Sequence, residues 1–129
     1  MDDYRIVHFK ENGEIKSIFT TNVQTCTAIA GYEPVSDAGF IAHFSPAFDA
    51  IVAALSDINA SLQQINGNGL KAMRCCVVGS VRDQADSIDY LMTAFAELVR
   101  YGVAYEDIFK HNTGVSRSLF IYQGNITVF

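Results

Sequence analysis

The sequence predicts an α+β domain in which helices pack on a mostly antiparallel sheet. Two observations lead to this. Short segments of β-branched and aromatic residues cluster at both ends of the chain, and two long runs with helical periodicity flank one nearly continuous apolar segment, residues 70–81. At 129 residues the chain has the length of a single domain, spanning 1–129, and such a domain buries about two thirds of its unfolded surface. Half of the residues are hydrophobic and 18% are charged, enough apolar material for a core without disulfide or metal staples.

The elements follow in order. Residues 4–9 and 15–20 read as two strands joined by Asn12-Gly13, the preferred pair for a type I′ turn, so a hairpin is expected to open the domain. Residues 27–32 and 39–44 read as a second strand pair, linked by a run of turn formers that includes Pro34 and Asp37. Ser45-Pro46 is a helix-start signature, with serine as N-cap and proline in the first turn. Phe48, Ile51, Val52, Leu55, Ile58, Leu62 and Ile65 then recur at three- and four-residue spacing until Asn66-Gly67-Asn68-Gly69 stops the run. Residues 70–81 form the expected central strand, buried on both faces. Ser87 is placed to cap a second helix facing inward through Ile88, Leu91, Met92, Phe95, Leu98 and Val99, with Gly102 past its end. The tail reads as a strand near residue 105, a glycine turn at 112–114 and a closing hairpin around Gly124-Asn125.

Composition excludes several function classes. The net charge is −5 and the nine basic residues are scattered, so no cationic stripe meets a nucleic-acid backbone. The start, MDDYRIVHFK, lacks a cationic head before an apolar run, and no stretch approaches the ~20 apolar residues of a membrane span. A soluble, cytoplasmic protein is expected. Three cysteines, an odd number, argue against a disulfide framework and for a reducing compartment. Cys75 and Cys76 are adjacent in a strand, where they point to opposite faces and cannot hold one ion from the same side. They read as small buried hydrophobes.

No GxSxG, HExxH, paired CxxC or GxxxxGK[ST] is present, and the glycines at 67 and 69 mark a turn before a strand. Of the histidines, His8 lies in a strand and His111 in a turn, both structural in character. His43 ends a strand facing the one preceded by Cys26. The two are 17 residues apart, a parity that places them on one face of a hairpin with an even loop, with Cβ atoms ~5–8 Å apart. An imidazolium there lowers a thiol pKa, and Thr20 or Thr21 is placed to orient the ring through its hydroxyl. Read from the residues alone, Cys26 and His43 are either a catalytic pair or two small buried side chains.

The run TTNVQTCTAIAGYEPVSDAGFIAHFSP resembles a segment of the chemoreceptor glutamine deamidase (CheD) family, in which Thr, Cys, a turn, and a small-residue strand ending in Ala-His follow in that order. The helix FDAIVAALSDI, the strand LKAMRCCVVGSV and the tail EDIFKHNTGVSRSLFIYQGNITVF are similar to later parts of that family, so the likeness covers nearly the whole chain. The wider superfamily includes the cytotoxic necrotising factor deamidases. The resemblance implies a β-sandwich-like core of mostly antiparallel strands flanked by two main helices. It implies Cys26 as nucleophile, His43 as its histidine and Thr20 as the assisting threonine, with Thr21 and Thr25 as further assisting candidates.

The activity implied is a cysteine-dependent deamidation of glutamine side chains on a partner protein, through a thioester, without metal or organic cofactor. Backbone N–H groups near residues 24–26 are the expected oxyanion donors. The chain departs from the family at Gln24-Thr25, where a Gly-Ser step is usual, and at His111-Asn112-Thr113-Gly114, where the family has paired glycines. The first departure motivates an alternative of another class, a catalytically silent adaptor that binds a partner protein. A third reading keeps the thiol chemistry but directs it to a small amide or to transamidation.

Overall fold

The computed structural model describes residues 3–23, 26–44, 48–81, 85–113 and 117–129. It is an α+β domain in three layers: two helices, a five-stranded sheet and a three-stranded sheet. The strands are β1 (Asp3–His8), β2 (Ser17–Val23), β3 (Thr27–Glu33), β4 (Ala38–Phe44), β5 (Arg74–Val81), β6 (Ile108–Thr113), β7 (Arg117–Tyr122) and β8 (Asn125–Val128). The helices are α1 (Phe48–Asn66) and α2 (Ala85–Arg100). The large sheet runs β1-β4-β3-β5-β6 and the small one β2-β7-β8. Every strand pair is antiparallel except β5 with β6, as expected of a mostly antiparallel sandwich.

Two cores lie on either side of the large sheet. Ile29, Phe40, Phe44, Cys75 and Val77 face the helices, where they meet Ile51, Leu55, Ile58 and Leu62 of α1 and Leu91 and Leu98 of α2. Ala28, Ala30, Ile41, Cys76 and Val78 face the small sheet and meet Ile18, Val23, Leu119 and Ile121. The alternation of strand side chains therefore sends Cys75 and Cys76 into different layers, as their adjacency predicts. Each fully buried leucine or isoleucine of α1 contributes about 2 kcal/mol through removal from water. Phe48 and Val52 lie at the margin of that helix face, 46% and 38% exposed, as do Met92 and Val99 on α2.

The β3–β4 hairpin forms as the sequence predicts, with Ala28 opposite His43 and Glu33 opposite Ala38. Its turn is closed by Asp37 N–H donating to the Pro34 carbonyl at 3.2 Å, with Asp37 in the left-handed region at φ 55°. The last hairpin also forms, but its two-residue loop is Gln123-Gly124, both at positive φ as a type I′ turn requires, and Asn125 already pairs with Tyr122. Helix α2 ends in a Schellman motif: Gly102 N–H donates to the Val99 carbonyl and Val103 N–H to that of Leu98, with Gly102 at φ 95°.

Several expectations are corrected. The first two strands are not a hairpin: β1 pairs with β4 and β2 with β7, in different sheets. Asn12-Gly13 does not adopt the positive φ of a type I′ turn; Glu11 and Asn12 N–H instead donate to the His8 carbonyl, and Phe9 N–H to that of Asp37, turning the chain across the layer. The central strand begins at Arg74 and not at residue 70, because Gly69–Ala72 form a 3₁₀ turn whose Leu70 N–H donates to Asn59 Oδ1. Ser87 is the third residue of α2 and so does not occupy the N-cap position. Residues 105–107 are a 3₁₀ turn, and β6 runs on through His111, Asn112 and Thr113, so His111 lies on a strand and not in a turn. Ser45-Pro46 and Gly114 lie outside the described residues.

Candidate active site

The strand directions bring several chain segments to one end of the sandwich. The start of β3 meets the ends of β4 and β5, because Ala28 pairs with both His43 and Val78. The end of β6 lies beside the end of β5, with Asn112 opposite Gly79, and the end of β2 lies beside the start of β7, with Val23 opposite Arg117.

His43 is the hub of this end. Paired with Ala28 and two residues from Ile41, it faces the small sheet and is 5% exposed. From the other layer, the Thr20 hydroxyl reaches across and lies 2.8 Å from His43 Nδ1. Of the two threonines considered, Thr20 is the one whose hydroxyl meets the ring. Thr21, the alternative, is exposed on the outer side of β2. The Nε2 atom of His43 is buried without a hydrogen-bond partner. Burial lowers the His43 pKa below the ordinary imidazole value, since the charged ring is costly away from water. The ring is thus held neutral near pH 7. With Nδ1 engaged by Thr20, Nε2 is the ring nitrogen left without a partner.

Cys26 sits in a bend one residue before β3, partly exposed and unoxidised. Its carbonyl packs on Gly79 of β5: a Cβ built there falls 3.0 Å from Cys26 O and 3.2 Å from Thr27 Oγ1. Glycine is thus what lets the chain around Cys26 lie flat against β5. Cys26 and His43 share one end of the domain but no hydrogen bond joins them, because Nδ1 is taken by Thr20 and Nε2 has no partner. Gln24 and Thr25, where oxyanion donors and a further assisting threonine were expected, lie outside the described residues.

Three residues of this end were not singled out from the sequence. Thr27 Oγ1 and Arg117 Nε are, like His43 Nε2 here and Ser36 Oγ at the distant β3–β4 turn, buried without a hydrogen-bond partner. The third is Gly79, whose only sequence signal is a glycine inside an apolar core strand. A cleft of about 340 Å³ opens beside the ring, walled by Asp3, Arg5, Phe19, Thr20, Ile41 and His43. That volume is at the lower end of small-molecule sites, and Cys26 is not among the residues that wall it.

The other cysteines are inert by comparison. Burial pushes the Cys76 thiol up to about 12, and Cys75 higher still. His8 is in β1, 3.4 Å from Glu11, away from this end. Among the described residues no three His, Cys, Asp or Glu side chains gather as a metal would require, and no helix is long and apolar enough to cross a membrane.

No protein-family model and no curated protein matches the chain. Among solved structures it is similar to the hypothetical protein YfiH of Bacillus licheniformis, with 13% identity and a TM-score of 0.54. The match covers 77% of this chain and 47% of that one, so the chain spans about half the length of that protein. At this identity the likeness is one of fold: the mixed α+β sandwich is shared.

Proposed function

We propose that the protein is a cysteine amidohydrolase of the CheD-like kind that deamidates glutamine side chains on a partner protein. The observation that carries the reading is the Thr20–His43 bond, which joins the two sheets and leaves Nε2 unpartnered at the end where Cys26 enters β3. A buried polar atom left without a partner costs about 1–3 kcal/mol, so Nε2 is suited to exchange a proton or hydrogen bond with a neighbour that approaches it.

In this reading His43 Nε2 takes the Cys26 thiol proton as Sγ attacks the carboxamide carbon of glutamine. The tetrahedral oxyanion is met by backbone N–H groups near residues 24–26. His43 returns the proton to the departing nitrogen, ammonia leaves, and a thioester remains. Water, deprotonated by His43, cleaves the thioester to give glutamate and the free thiol. Thr20 holds Nδ1 throughout, so that Nε2 is the atom that takes and returns the proton. No step calls on a metal or organic cofactor, and the free thiols suit a reducing, cytoplasmic setting.

The test is incubation of candidate glutamine-bearing proteins with the wild type and with Cys26→Ala. The reading expects a gain of ~1 Da per modified glutamine in the wild-type sample alone, since an amide becomes an acid. A gain that persists in Cys26→Ala, or none over a broad proteome digest, rejects it. The absence of a Cys26–His43 hydrogen bond favours one second reading, a silent adaptor. That reading predicts partner capture by Cys26→Ala and wild type alike, with no mass change in either case.

A further inference from the structure

One charged side chain is aimed into the space between the sheets at the end that carries Cys26. Leu119 and Ile121 of β7 are fully buried in the layer between the sheets, and the half-buried Arg117, two residues before Leu119, opens the strand on the same face. The irregularity in the β2–β7 pairing is an extra residue on β2, between Thr20 and Val23, so alternation along β7 is unbroken. Thr20 lies opposite Leu119, and Val23 opposite Arg117. Arg117 therefore stands one inward step, ~7 Å, beyond the level of the Thr20–His43 bond, on the side where Cys26 enters β3.

The surrounding layer gives this cation no counter-charge. Val23, Ala28, Val78 and Leu119 are apolar, and burial holds the His43 ring neutral. Among the described residues no carboxylate forms an ion pair with Arg117, and its Nε–H is buried without an acceptor. Arginine cannot shed its charge by losing a proton, and its planar fork of N–H groups matches a carboxylate. An anion brought to it supplies the missing acceptor and the missing charge together.

We propose that Arg117 is a specificity-determining residue that binds a carboxylate of the substrate, an aspartate or glutamate within about two residues of the glutamine to be deamidated. The inference rests on the deamidase reading of Cys26 and His43. The spacing follows from the register. Opposed Cα atoms in the ladder are ~5 Å apart, and Val23 to Cys26 is three residues, at most ~11 Å, so the Cα atoms of Arg117 and Cys26 lie within ~16 Å. The arginine side chain closes part of that gap, and one or two extended residues of substrate close the rest. A net charge of −5 repels a uniformly acidic segment at long range, so the segment carries its acid beside the glutamine and is otherwise neutral or basic.

Two measurements test this. The first needs no substrate: Cys26 is alkylated at pH 7 and low ionic strength with iodoacetate, an anion, and with iodoacetamide, its neutral analogue. Both reagents meet the same thiolate, so the ratio of their rates, divided by the ratio for N-acetylcysteine amide, reads the charge that faces the sulfur. It should be roughly fivefold higher in the wild type than in Arg117→Gln, be kept in Arg117→Lys, and fall in the wild type at about 0.5 M salt. The salt response of the wild type remains decisive if Arg117→Gln does not fold. A wild-type ratio equal to that of the free thiol, or one unchanged in Arg117→Gln, overturns the inference. The second measurement follows ammonia release from two peptides of about 15 residues with one glutamine, preceded by glutamate in one and by lysine in the other, and from a blocked Gln-Gly dipeptide. The expected KM is roughly tenfold lower for the glutamate peptide in the wild type and in Arg117→Lys, and the difference is lost in Arg117→Gln. Turnover with equal KM for the two peptides overturns the inference and leaves the deamidase reading standing. Absence of turnover with all three overturns the deamidase reading and this inference with it.

Discussion

Replacing Thr20 by valine keeps a β-branched side chain in β2 and removes the hydroxyl that bonds His43. A typical hydrogen bond contributes about 1 kcal/mol net, and stranding a buried partner adds to that, up to about 3 kcal/mol. Thr20 itself is only half-buried, so water relieves part of the loss, and we expect a destabilisation of about 1–2 kcal/mol. For a domain of this size that corresponds to a fall in thermal midpoint of roughly 3–8 °C. Urea unfolding measures the first quantity and a thermal melt the second. Nitrogen-15 NMR of the imidazole reads the cause: one tautomer is held in the wild type, while the valine variant exchanges between two. Thr20→Ser should restore both stability and tautomer. A valine variant with wild-type stability and wild-type ring shifts would refute the claim that Thr20 positions His43.

Other outcomes follow from the same geometry. Gly79→Ala pushes a methyl group against the Cys26 carbonyl and Thr27, so it should cost about 1–3 kcal/mol and change the reactivity of Cys26, read by unfolding and by alkylation rate. Iodoacetamide should add one group to the native protein, at Cys26, and three after unfolding, because Cys75 and Cys76 are buried with raised thiol pKa values; mass spectrometry counts them. The lowered pKa of His43 makes the unfolded chain bind the proton more readily than the folded one. Stability should thus be full above the ordinary imidazole value of ~6.5 and be lost as pH falls through the lower folded value. Urea midpoints between pH 4.5 and 7.5 test this, and His43→Gln should flatten that part of the profile.

Much of the fold was legible where local chemistry decides it. The β3–β4 hairpin followed from two short strands around Pro34 and Asp37, and α1 from its apolar spacing and the glycines after it. The opening hairpin was misread for a physical reason. Asn12-Gly13 carries a turn signal, but pairing is settled by which sheet buries each strand. Val7 and Ile18 share the layer between the sheets, reaching it from opposite sides, so β1 and β2 do not pair. The site shows the same division. Parity placed Cys26 and His43 at one end because both belong to one hairpin. The contribution of Thr20 arises between sheets, from a pairing with β7 that is distant in sequence. Thr27, Gly79 and Arg117 join the site through the same long-range topology.

The central claim is that the Thr20-held His43 acts as the base for Cys26. Its most direct test is the rate of Cys26 alkylation at pH 7 in the wild type and in His43→Gln, followed by mass spectrometry on folded protein. The account predicts a wild-type rate faster by on the order of tenfold or more, with Thr20→Val falling between the two. Equal rates in all three proteins would contradict it.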